Sequence, residues 1–158
     1  MSEQHRRRLR SIRRQYEAAE EALEKAWRYA ESNPAFYSAD PGDIRQAWLT
    51  AEKTFFIRLV AETEGMLFRH LKDHWPAFDF DEDAARLLNH CRHRLNPAKQ
   101  NDALPNDLAE DVLDVFRWRN HLAHGEKGFP PSRVAYVEAF DYLSDLLLLL
   151  PRMKRGHS

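Results

Sequence analysis

A lone cysteine, Cys91, stands in a chain of 158 residues, which excludes an internal disulfide framework and every multi-cysteine zinc module and suits a reducing cytosol. Isoleucine and threonine are almost as scarce: Ile12, Ile44 and Ile57 are the only isoleucines, and Thr50, Thr54 and Thr63 the only threonines. Strands prefer such β-branched residues, so their rarity argues against a sheet. Neither sign of charge dominates, because 24 Lys and Arg face 25 Asp and Glu for a net charge of −1. That balance argues against a protein whose whole surface grips nucleic acid and leaves room for a local basic patch. No apolar run approaches the ~20 residues that span a bilayer, and the charged N-terminal stretch holds no signal-peptide core. A soluble, cytoplasmic protein with no membrane contact is expected. There is no glycine-rich phosphate loop, no Gly-x-Ser-x-Gly elbow and no dinucleotide fingerprint, so nucleotide hydrolysis, esterase and dehydrogenase chemistry lack support.

What abounds is leucine, alanine, glutamate and arginine, all good helix formers. The expected fold is all-α, an up-and-down bundle of about five helices forming one domain over residues 1–158. A chain of this size hides roughly 70% of its unfolded surface and needs neither metal nor disulfide to hold a core. The first helix, about 3–32, repeats Leu9, Ile12, Tyr16, Ala19, Leu23, Ala26 and Ala30 at three- and four-residue steps, a narrow apolar stripe. Its exposed faces turn from basic (Arg6, Arg7, Arg8, Arg10, Arg13, Arg14) to acidic (Glu17, Glu20, Glu21, Glu24). Asn33-Pro34 and Asp40-Pro41-Gly42 punctuate a loop before a second helix at about 43–74. A third is expected from Asp79–Asp83 to Asn96, a fourth from Pro105 to Gly125, and a fifth from Pro130-Pro131-Ser132 to Pro151, with a basic tail over 151–158. Leu146 to Leu150 would cover every side of that last helix, so its end should be buried in the bundle or against another subunit.

The fourth helix carries a contradiction. At about 100° per residue, Leu108, Val112, Val115, Phe116, Leu122 and Ala123 share one side, and Arg119 falls in the middle of it. A guanidinium there cannot shed its proton, so it needs a carboxylate, a cleft or an anionic ligand at a subunit interface. On the second helix, Trp48, Phe55, Leu59 and Met66 draw a stripe near whose centre Glu52 and Glu62 lie, while Glu64 points the other way. Glu52 and Glu62 are therefore the expected partners, in a site or in a purely structural ion-pair network. Asn120, His121 and His124 follow, and Gly125 offers a left-handed helix end. Arg119 and His124 stand about 140° apart on a continuous helix, so they share a site only if the helix frays or two subunits meet. Asn120 and His124, four residues apart, are neighbours on one face.

The string Arg119-Asn120-His121-Leu122-Ala123-His124-Gly125, near the end of the penultimate helix of an all-helical chain, resembles the signature of HEPN domains, and the resemblance in architecture covers most of the chain. It implies a metal-independent endoribonuclease, of a toxin-antitoxin, phage-defence or RNA-processing system, that works as a homodimer with two motifs facing one cleft. RNA supplies its own nucleophile, the 2′-hydroxyl, so such a site positions it, moves protons and stabilises a phosphorane. In these terms His124 is the general base or acid, Arg119 holds the phosphate, Asn120 orients one of them, and the product is a 2′,3′-cyclic phosphate. His121 would support the site. Some HEPN toxins carry a tyrosine two positions beyond the histidine that a partner nucleotidyltransferase modifies; Glu126 stands there, which argues against that kind of antitoxin. Other HEPN domains are binding or scaffold modules, and in that alternative Arg119 is structural.

Arg6, Arg10, Arg13, Arg14, Arg117 and Trp118 are the candidate RNA contacts, and the alternative for the arginines of the first helix is a solvated face with some ion pairs. The histidines His70 and His74, one turn apart, and the cluster His90, Cys91 and His93 show no recognised ligand order, so neither metal nor cofactor is expected. Trp27, Trp48 and Trp75 fit core or interface anchors, whereas Trp118 projects off the stripe beside Arg119.

Overall fold

The computed structural model describes residues 3–35, 40–74, 104–125 and 128–150. Among them every regular element is helical: α1 (Glu3–Ser32), α2 (Pro41–His74), α3 (Asn106–Ala123) and α4 (Tyr136–Leu149). The expected helix between 79 and 96 and the basic tail lie outside the described residues, as do Trp75, His90, Cys91 and His93.

Local chemistry sets the boundaries. Ser32 Oγ donates to the Arg28 carbonyl (2.9 Å) and the Asn33 N–H to the Tyr29 carbonyl (2.9 Å), closing α1 where Pro34 forbids continuation. Asp40 caps α2: its Oδ1 accepts the Gly42 N–H (2.7 Å), with Pro41 in the first helical position, where a missing N–H costs nothing. The α2 helix thus begins two residues before the expected Asp43. The last helix begins later than Pro130-Pro131-Ser132 suggests, because the cap is formed at Ala135, whose N–H donates to Glu138 Oε2 (3.0 Å).

α2 touches each of the other three helices. It runs antiparallel to α1, since Arg58 reaches Gln15 (2.7 Å) and Arg8 reaches Glu62 (3.7 Å). α1 and α4 are also antiparallel, as shown by the stacked Tyr16 and Tyr136 rings (4.0 Å) and by Arg13 over the Phe140 ring (4.8 Å). The core joins Leu9, Ile12 and Tyr16 of α1 to Phe56, Leu59, Val60, Met66 and Leu67 of α2, Val112, Leu113, Val115 and Phe116 of α3, and Ala139, Leu143, Leu146 and Leu147 of α4. Beyond Tyr16, α1 fully buries just Ala30, and before Phe56, α2 fully buries just Ile44. At about 1.5 Å per residue α1 and α2 extend ~45 and ~51 Å against ~27 and ~21 Å for α3 and α4. Among the described residues the loop half of the long hairpin therefore adds little to the core.

The leucine run is not buried on every side. Leu146, Leu147 and Leu150 are enclosed, Leu149 is half-buried and Leu148 remains 48% exposed, because α1 does not close over that flank of α4.

Candidate functional site

Arg119 lies on the buried side of α3, as its spacing predicts. Its neighbours one turn away, Val115, Phe116 and Leu122, are all in the core. Its side chain is 21% exposed, and its Nη2 makes an ion pair and hydrogen bond with Glu64 Oε1 on α2, a carboxylate 15% exposed. The Arg119 Nε is buried with no hydrogen-bond partner among the described residues. One donor of the guanidinium is thus unspent.

This pairing corrects the expected one. Glu52 instead meets Arg133 (3.5 Å), and Glu62 meets Arg8 (3.7 Å), both at more exposed edges. The reason is that α2 is covered on two sides. Phe56, Val60, Thr63 and Leu67 are fully buried and form a second stripe, about 90° around from Trp48, Phe55, Leu59 and Met66. Glu64 flanks that second stripe, one turn from both Val60 and Leu67. Projection about a single stripe sends it to the wrong side. The signal that finds it is the apolar cluster Phe55, Phe56, Ile57, Leu59 and Val60, interrupted by Arg58, with Met66 and Leu67, too wide for one face.

The end of α3 is orderly. The His124 N–H still donates to the Asn120 carbonyl (3.0 Å), so the helical hydrogen bonding runs through His124, after which Gly125 turns the chain with φ 76°. A conformation of that sign is nearly free for glycine alone. The helix does not fray before His124, and Arg119 and His124 stay about 140° apart within one chain. Asn120 and His124 are both exposed. His121 is half-buried and stacks on Trp118 (5.3 Å between rings, 29° between planes). Beside this pair a cleft of about 640 Å³ opens between α2 and α3, lined by Phe56, Ile57, Trp118, Leu122, Glu52 and Arg133.

The structure thus brings together Arg119 and Glu64, and Trp118 and His121, but not Arg119 and His124. Arg117 is exposed and spent on Asp114 (2.7 Å). Arg6, Arg10, Arg13 and Arg14 occupy the α1 face toward α4 and so lie on a different flank from the α2–α3 cleft. His70 is half-buried on α2, and among the described residues no group of three or more histidine, cysteine or acidic side chains is placed to hold a metal ion. Compared with protein-family models, with curated proteins and with solved structures, the chain finds no match.

Proposed function

We propose that this chain is a HEPN-type endoribonuclease that acts as a homodimer and needs no metal. The observation that carries the reading is the pairing of opposites at the end of α3. A guanidinium is held on the apolar side of the helix with one donor unspent, and an exposed imidazole stands at a helix end that stays hydrogen-bonded. Because the two diverge by about 140°, a twofold axis is what lets Arg119 of one chain serve the same phosphate as His124 of the other. As the 2′-oxygen bonds to phosphorus and the P–O5′ bond breaks, His124 either takes the 2′-hydroxyl proton while water protonates the leaving 5′-oxygen, or protonates that oxygen while water takes the 2′-hydroxyl proton; Arg119 neutralises the phosphorane, Asn120 steadies the imidazole, and the ends left are a 2′,3′-cyclic phosphate and a 5′-hydroxyl. A role in a toxin-antitoxin, phage-defence or RNA-processing system, with an antitoxin or accessory protein encoded nearby, belongs to the same proposal.

The Arg119–Glu64 ion pair favours a second reading, in which the arginine is structural and the chain is a non-catalytic HEPN-like scaffold module. Incubation of purified protein with total RNA in the presence of chelator separates the two. The ribonuclease reading expects cleavage by the wild type, none by His124→Ala, and equal melting temperatures, since the His124 side chain is exposed. Intact RNA with the wild-type protein, or equal cleavage by the variant, overturns it.

A further inference from the structure

Along the α1–α4 flank the antiparallel helices enclose an open groove of about 760 Å³. Five arginines, Arg6, Arg7, Arg10, Arg13 and Arg14, line it against one carboxylate, Glu17. Elsewhere on α1 cations are matched in place: Lys25 with Glu21 (2.5 Å), Arg28 with Glu24, and in the groove Arg13 with Glu17 (2.7 Å). Arg6, Arg10 and Arg14 receive no such partner among the described residues. They recur every four residues, a row about 12 Å long on one side of the helix. Holding like charges this close costs free energy that an external anion would recover.

We propose that this groove is a binding track for the phosphate backbone of single-stranded RNA, separate from the residues at the end of α3. The choice of RNA over another polyanion rests on the ribonuclease reading; the choice of an anion does not. An acidic amphipathic helix is the competing occupant, and the groove floor disfavours it. Leu9, Phe140 and Leu147 are 3%, 9% and 0% exposed, so Leu148 alone offers appreciable apolar area to a docking helix. A phosphodiester chain needs no such area. It needs guanidinium forks at intervals, which the arginine row supplies.

The test is fluorescence anisotropy of a labelled oligouridylate on His124→Ala protein, which keeps RNA intact, with Arg6→Gln/Arg10→Gln/Arg14→Gln in the same background as the comparison. Three or four phosphate contacts predict that affinity falls about 20- to 50-fold between about 50 and 200 mM salt. The triple variant should bind at least about tenfold more weakly with a flatter salt slope, at unchanged melting temperature. Equal binding by the triple variant overturns the track, and so does poly-glutamate that competes as well as RNA at matched charge. The two proposals fail separately. If wild-type protein cleaves while the triple variant binds normally, the groove is refuted and the ribonuclease stands; salt-dependent binding without cleavage refutes the ribonuclease alone.

Discussion

Arg119 on α3 is tied to Glu64 on α2, fifty-five residues earlier in the chain, and the tie passes through the edge of the core. Replacing either partner removes an ion pair between half-buried side chains. Glu64→Ala and Arg119→Ala should each cost about 2 kcal/mol in urea denaturation, and the double variant clearly less than the sum. A coupling energy below about 0.5 kcal/mol in that cycle would show the pair to be energetically idle.

A composite site makes a stoichiometric prediction. Arg119→Ala and His124→Ala proteins, each inactive, should regain about a quarter of wild-type cleavage when mixed equally and allowed to exchange subunits, because half the dimers are mixed and each holds one intact site. Light scattering should give a mass of twice 18.6 kDa. A monomer that cleaves, or mixing that restores nothing despite subunit exchange, contradicts the shared site.

Tyr136 is 2% exposed, its hydroxyl has no hydrogen-bond partner among the described residues, and burial pushes its pKa up to about 12 from 10.0. The buried Tyr16 beside it is shifted the same way, again chiefly by burial. The folded state holds these protons more tightly than the unfolded one, so their contribution is fully present below pH 10 and is lost as pH rises from 10 toward 12. Tyr136→Phe should be neutral or stabilising by up to about 1 kcal/mol at neutral pH and should soften the alkaline loss. Urea midpoints at neutral and alkaline pH check both, and a neutral-pH loss above about 1 kcal/mol would reveal a partner for the hydroxyl.

Two adjacent leucines should behave differently. Leu147→Ala removes a fully buried side chain and should cost about 2–5 kcal/mol. Leu148→Ala, at a position 48% exposed, should cost under about 1 kcal/mol. Equal large losses would mean that another surface covers Leu148 in solution.

The helical class, the bounds of α1 and α3 to within two residues, and the buried side of α3 with Arg119 on it were legible in the sequence, because composition and three-to-four periodicity act locally. Gly125 was legible for the same reason: its left-handed turn is a local necessity. The partner of Arg119 was not. A helix packed on two sides has no single apolar direction, so Glu64 looks outward by a one-stripe projection and yet lies against Val60 and Leu67. The start of α4 was also missed, because Pro130 and Pro131 mark where a helix cannot be and do not mark where it begins, which Glu138 decides by capping Ala135.

The loop half of the α1–α2 hairpin has a dynamic corollary. Among the described residues, α1 from Glu17 to Ser32 and α2 from Pro41 to Phe55 enclose few side chains fully, and Glu52 with Arg133 is an ion pair at an exposed edge. Their amides should open to deuterium with lower free energies than those around Leu59 and Phe116, so exchange should begin in this half of the hairpin.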